Sequence, residues 1–458
     1  MIQPLFPYQS EGADWIAPRK RSGLFDEPGL GKTSQCIRAA DLRGAMRIIV
    51  ICPAIAREHW RGEFRKFSKI GRRVLKATNI HDYRAWERGR WDVLLCSYEM
   101  AVKWAPLIIE HGEPLDMIVL DEAHYLKNSE AKRTKALLGP GADGLDGLTA
   151  WAKCAVWVTG TPIPNDPGDC WTFLRFCGVM PLALGAFQRR YFTARPGSYA
   201  TRYALRSETA PELRDLLENN SIRRRLADVG IQLPPIFLTS TLVEGDTTDI
   251  RDMLANHPGL DSRIAAAIES MAGDEWSLAG AIDRVDSEHV AVLRRLIGEA
   301  KALPYGQMLL GELHGGLDKM VVFGLHKRAA HILQTYLLDH NIQAVIINGD
   351  TSEAHRQAYM RAFQEDPTVR VLIGNIRAAG VALTLTASCH IDMLESDWSP
   401  AANWQALKRV HRITQTRAVR ARFITLAESF DEIVNRIVAE KTEKIGVLEG
   451  QEMFSVPA

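Results

Sequence analysis

Residues 26 to 33 read Asp-Glu-Pro-Gly-Leu-Gly-Lys-Thr, a spacing of glycines, lysine and hydroxyl that can hold a polyphosphate. Gly29 and Gly31 lack a Cβ, so the backbone around Leu30 can turn its N–H groups toward an anion. Lys32 is then placed to reach the β- and γ-phosphates and Thr33 to ligate Mg²⁺, which makes ATP and Mg²⁺ the expected substrate and metal. Asp26 stands where the strict pattern has its first glycine. A second group of reactive residues, Asp121-Glu122-Ala123-His124, follows an apolar run. There Asp121 can hold the metal through water and Glu122 can take the proton of an attacking water. A third group is Arg409 and Arg412, three residues apart and so on one face if the stretch is helical. From across a cleft both could reach the γ-phosphate, a contact worth about 10³ to 10⁵ in rate. Upstream, the Gln9 amide can donate to and accept from an adenine edge at once.

These groups need a scaffold. Short, nearly continuous apolar runs at Ile48 to Cys52, Val93 to Ser97, Met117 to Leu120 and Ala155 to Val158 are separated by helix-length stretches. That pattern predicts a parallel sheet covered on both faces, with function at the carboxyl ends of its strands. A second series lies at Met320 to Phe323, Ala344 to Ile347, Val369 to Ile373, His390 to Leu394 and Phe423 to Leu426. Between these runs Ala329, Ile332, Leu333, Tyr336 and Leu337 are spaced for one buried helix face. The second lobe has no phosphate loop of its own, so it is expected to cover the nucleotide of the first.

At 458 residues the chain predicts two or three domains. No apolar run approaches the roughly 18 residues of a membrane span, and the start has no signal-peptide pattern. An intracellular, cytoplasmic protein is expected, nucleoid-associated in a prokaryotic or viral setting, with no membrane partner. The seven cysteines are scattered and never spaced C-x-x-C, and no histidine pair shows H-x-x-x-H spacing, so neither disulfides nor zinc are indicated. A net charge of +1 means that any nucleic-acid surface must be local. Arg57 to Lys66, Lys127 to Lys135 and Arg223 to Arg225 hold the basic clusters.

The order of DEPGLGKT, ICPAIAREHW, SYE, DEAHYLKN and TGTPIPN resembles the first motor lobe of the Swi/Snf-like family of superfamily-two double-stranded DNA translocases. Further on, Ile222 to Val229 with Leu233-Pro234-Pro235 resembles the family's Arg-Arg-x-Lys segment, with Leu226 in place of the lysine. Gln405 to Gln415 resembles its last motif, with Thr414 where glycine is usual. The run Ala378 to Ala387 looks closest to the HepA-related, annealing-helicase branch. The resemblance implies an α/β fold of two tandem RecA-like lobes with helical protrusions inserted between them. It further implies ATP hydrolysis driving translocation on double-stranded DNA when the lobes close. Gly380 becomes a further nucleotide contact, Arg57, Lys127, Asn128, Thr351 and Thr384 the DNA contacts, and Thr159 and Thr161 the couplers of the two sites.

The expected domains are lobe 1 at 1–165, a helical protrusion with the arginine segment at 166–235, and a linker with a second protrusion at 236–300. Lobe 2 follows at 301–445 and a tail at 446–458. A monomeric minimal motor, with targeting left to an unidentified partner, is the expectation. Two alternatives stay open. A strand-separating helicase would use the same lobes but needs a wedge, and no aromatic hairpin is visible. An ATP-gated switch would need neither Glu122 nor the two arginines.

Overall fold

A computed structural model describes residues 2–112, 114–139, 146–160, 170–195, 202–260, 262, 278–376, 384–398, 400–448, 451 and 453–455. The chain divides into two units, Met1–Gly230 and Ile231–Ala458.

In the first unit the strands are β1 (Arg21–Leu24), β2 (Ile48–Ile51), β3 (Val74–Lys76), β4 (Val93–Cys96), β5 (Leu115–Asp121), β6 (Ala152–Val158) and β9 (Ser221–Ile222), with a hairpin of β7 (Phe192–Arg195) and β8 (Arg202–Leu205). The sheet order is β3-β4-β2-β5-β6-β1-β9 and every pairing is parallel. Parallel strands buried on both faces need apolar residues at successive positions, and every residue of β2 and β4 is buried. This places the ends of β5, β6 and β1 side by side. The acids follow β5, Thr159 follows β6 and the glycine loop follows β1.

In the second unit β10 (Ile236–Val243), β11 (Met320–Gly324), β12 (Gln343–Ile347), β13 (Val369–Asn375), β14 (His390–Met393), β15 (Val419–Leu426) and β16 (Met453–Ser455) form a second parallel sheet, ordered β12-β13-β11-β14-β15-β10-β16. Val321, Phe323, Leu372, Ile391 and Phe423 lie in one core of this unit. The α/β class and the two parallel sheets are as expected.

The boundaries differ from those expected. Residues 170–220 hold the helices Cys170–Phe176, Leu184–Tyr191 and Ala210–Asn220. Phe173, Phe176, Phe187, Tyr191 and Leu213 share the first unit's core with Phe25 and Trp157, so these helices complete that unit. The expected linker at 236–300 opens with β10, which pairs with β15 along its whole length from Ile236↔Val419 to Val243↔Leu426. The helix Leu278–His314 runs straight across the expected boundary at 300. The expected tail contains β16, which pairs with β10.

Candidate nucleotide site

The glycine loop turns because two of its residues lie in the left-handed region, Gly29 at φ 99° and Gly31 at φ 73°. Gly31 caps helix α2 (Lys32–Leu42), so the positive end of that helix faces the loop. Gln9, from helix α1 (Pro7–Ile16), lies against the loop and donates through Nε2 to the Leu30 carbonyl at 3.2 Å. A Cβ on Gly31 would come within 2.3 Å of that nitrogen, so the approach needs glycine. The Lys32 ammonium donates to the carbonyls of Asp26 at 2.7 Å and Glu27 at 3.3 Å, across the inside of the loop. Leu30 is fully buried and anchors the turn, while Thr33 stays half-exposed at the first turn of α2.

At the end of β5 the Asp121 carboxylate accepts from the Trp60 indole N–H at 2.7 Å and from the Glu122 backbone N–H at 3.1 Å. Trp60 belongs to helix α3 (Arg57–Phe67) and is itself buried. Tyr98 holds the same strand end through its hydroxyl, which donates to the Asp121 carbonyl at 2.8 Å. Burial, followed by the charge of Glu122, pushes the Asp121 carboxyl up to about 6, while Trp60 and Lys32 act in the opposite sense. Glu122 lies at φ 51°, a strained position for a non-glycine residue that turns its side chain out of the strand direction. His124 Nδ1 lies 3.3 Å from Glu122 Oε2 and 3.1 Å from the Thr159 hydroxyl. Thr159 is thereby joined through one imidazole to the acid expected to act as base.

The donor set suits the expected metal. A hydroxyl at Thr33 and a carboxylate at Asp121 are hard oxygen ligands, and Mg²⁺ takes one or two such groups together with water and phosphate oxygens. Among the described residues no group of three or more His, Cys, Asp or Glu could hold a metal by itself.

In the second unit, Arg409 and Arg412 do not share a helix. The helix Pro400–Leu407 stops before them. The Arg409 N–H bonds to Ala406 O at 3.0 Å and the Val410 N–H to Leu407 O at 3.1 Å, the spacing of tight turns. Tertiary bonds draw the stretch out of helical register. The Arg409 carbonyl accepts from the Leu385 N–H at 2.9 Å, and His411 Nε2 meets the Pro234 carbonyl at 2.8 Å. Burial and then the Arg409 charge push the Arg412 guanidinium down to about 9. Arg412 donates to Lys408 O at 3.1 Å and to the Thr384 hydroxyl at 2.9 Å.

Of the residues expected at DNA, Thr384 is therefore an acceptor for Arg412. The Arg57 guanidinium donates to Ala54 O at 2.9 Å and to the Ala77 carbonyl, so it braces the start of α3. Thr351 exchanges hydrogen bonds with Asn348 at 3.0 and 3.2 Å in the turn after β12. Lys127 is half-exposed and Asn128 exposed, directly after the acids. Gly380 and Thr161 lie outside the described residues. Trp60, Tyr98, His124 and Arg224 were given no individual role from the sequence. All four stand inside segments quoted there, Trp60 in ICPAIAREHW, Tyr98 in SYE, His124 in DEAHYLKN and Arg224 in Ile222 to Val229, which was the available signal.

The sequence matches the SNF2-related domain over residues 8–245 and the helicase conserved C-terminal domain over residues 306–414. It is 26% identical to the SWI/SNF-related matrix-associated actin-dependent regulator of chromatin subfamily A-like protein 1 homolog of Caenorhabditis elegans, covering 97% of this chain and 62% of that protein. Its identity to the Xenopus laevis protein of that name is 27%, over 97% of this chain and 44% of the relative. Identity to the human DNA annealing helicase and endonuclease ZRANB3 is 26%, over 96% and 40%. The chain thus spans 40 to 62% of the length of these relatives. Among solved structures, the Sulfolobus solfataricus SWI2/SNF2 ATPase core in complex with dsDNA aligns with a TM-score of 0.45 at 22% identity, covering 98% of this chain and 94% of that one.

Proposed function

The chain belongs to the SNF2-related, helicase-like family, and we propose that it is a DNA-dependent ATPase that translocates along double-stranded DNA. The observation that carries this reading is the arrangement at three neighbouring strand ends of the first unit, where the glycine loop, Thr159 and Asp121-Glu122 stand together. A phosphate cradle beside a metal-holding carboxylate and a base is what phosphoryl transfer to water requires.

In this reading the loop amides and Lys32 bind the β- and γ-phosphates, and Gln9 holds the adenine. Thr33 and Asp121 hold Mg²⁺, which neutralises phosphate charge when bound. Glu122 takes a proton from the attacking water, and Arg409 and Arg412 meet the charge that develops on the phosphoryl group during turnover. Loss of the γ-phosphate changes the contacts of Glu122, and His124 passes that change to Thr159. Lys127 and Asn128, which follow the acids, and Thr351 at the turn after β12 are proposed contacts of the DNA backbone. Contacts to phosphate give affinity without sequence preference and with steep salt dependence.

The test is phosphate release from ATP without nucleic acid, with single-stranded DNA and with blunt duplex, across a salt series and with Arg412→Ala. Stimulation by duplex over single strand, lost in Arg412→Ala and falling with salt, is the expected result. A preference for single strands would replace translocation with strand separation. Turnover near zero in every condition would overturn the enzyme reading.

A further inference from the structure

Asp26 is fully buried at the point where β1 runs into the glycine loop. An ionised carboxylate in that position needs partners on both oxygens. It has four. Arg224 supplies its backbone N–H at 3.0 Å, Nε at 3.1 Å and Nη2 at 2.6 Å, and Gln35 of α2 supplies Nε2 at 2.9 Å. Arg224 also donates to Gln35 Oε1 at 2.7 Å and to the Tyr8 carbonyl, with its guanidinium carbon 5.4 Å from the centre of the Tyr8 ring. The arginine therefore ties α1, α2 and the loop entrance together.

Room for it is made in α1. A Cβ on Gly12 would lie 1.9 Å from Gln35 Oε1 and 2.6 Å from Arg224 Nη2. The neighbours Arg223 and Arg225 are exposed, as the alternation of an extended chain dictates, so of the three only Arg224 points inward. The backbone follows the same path. Beyond β9 the chain stays zipped to the loop entrance: Phe25 N–H to Ile222 O at 2.8 Å, Glu27 N–H to Arg224 O at 3.0 Å, and Leu226 N–H to the Glu27 carboxylate at 2.6 Å. The first unit ends shortly afterwards, at Gly230. The Asp26 carbonyl, in turn, is the 2.7 Å partner of the Lys32 ammonium.

From this geometry we propose that Arg224 is a positioning residue for nucleotide binding, which clamps Asp26 and so sets the loop that carries Lys32. Through it the segment leaving the first unit holds the nucleotide loop in shape. The proposal rests on the ATP reading of that loop.

The test is a cycle of Arg224→Met, Asp26→Gly and the double variant in the full chain. A fluorescent ATP analogue reports Kd, and phosphate release reports kcat and KM. Arg224→Met is expected to weaken binding by at least about tenfold, because it leaves a buried carboxylate without its cation and with only the backbone N–H and Gln35 as donors. The double variant is expected to bind within about threefold of Asp26→Gly, because the group that needed the arginine is gone. Arg224→Lys, which keeps the charge but not the fork, should fall between wild type and Arg224→Met. Wild-type binding by Arg224→Met, or losses that simply multiply in the double variant, would overturn the clamp.

Should Arg224→Met fail to fold, Gly12→Ala displaces the guanidinium with both charged groups retained. A raised KM at near-normal kcat supports the clamp, and an unchanged KM overturns it. Failure of the wild-type chain to bind the analogue would overturn the ATP reading itself, and the clamp with it.

Discussion

His411 is buried, its Nε2 meets the Pro234 carbonyl at 2.8 Å, and its Nδ1 has no hydrogen-bond partner among the described residues. A proton added at Nδ1 would create a buried donor without an acceptor. Burial and then the Lys408 cation push this imidazole down to about 4, against the smaller opposing effect of Pro234. The neutral ring, with its proton on Nε2, is therefore the native form. Because the folded value lies below the unfolded value of about 6.5, the unfolded chain binds more protons between them, and stability falls as pH falls through that window. The whole gap amounts to about 3 kcal/mol, of which about 2 kcal/mol is lost by pH 5. The perturbation is His411→Gln, which can keep an amide donor toward Pro234 but does not titrate. Urea unfolding of wild type and variant at pH 7 and pH 5 gives four free energies, and carboxylates common to both proteins cancel in the difference of differences. Wild type should lose about 2 kcal/mol more than the variant on going to pH 5. Equal losses would refute the reasoning, as would an NMR titration that places His411 near its ordinary value.

Trp60→Phe removes the indole donor from the Asp121 carboxylate while keeping an aromatic ring at this buried position. A hydrogen bond to a charged group is worth about 1.5 to 3 kcal/mol, so turnover should need at least about tenfold more Mg²⁺ while metal-free nucleotide binding holds; an unchanged Mg²⁺ dependence would show that the contact is idle. Gly31→Ala places a Cβ against Gln9 Nε2 at a left-handed residue, which costs about 1 to 2 kcal/mol for the backbone alone. Nucleotide affinity should fall and the melting temperature with it, and wild-type affinity would contradict the cradle.

How much was legible depended on whether the determinants were local. The glycine loop and the acids were visible because each is written in a few consecutive residues, and the sheets because buried parallel strands are apolar at successive positions. Contacts made across the fold left no such trace. Trp60 reaches Asp121 over 61 residues and Arg224 reaches Asp26 over 198. β10 was hidden for a different reason. Its sequence Ile-Phe-Leu-Thr-Ser-Thr-Leu-Val mixes polar and apolar positions, and its partners, β15 and β16, lie far along the chain. The shared face of Arg409 and Arg412 was conditional on a helix, because spacing alone cannot anticipate that Leu385 and Pro234 would draw the backbone into turns.

Asp26 shows why a departure from a pattern can be more informative than agreement with it. A glycine there would need nothing from the rest of the chain. An aspartate, fully buried, commits Arg224, Gln35 and, through the space they occupy, Gly12. It follows that the loop entrance cannot be changed independently of the segment that leaves the first unit. The replacement of lysine by Leu226 is compatible with this arrangement, because what residue 226 supplies to the loop is its backbone N–H, donated to Glu27, which any residue but proline provides.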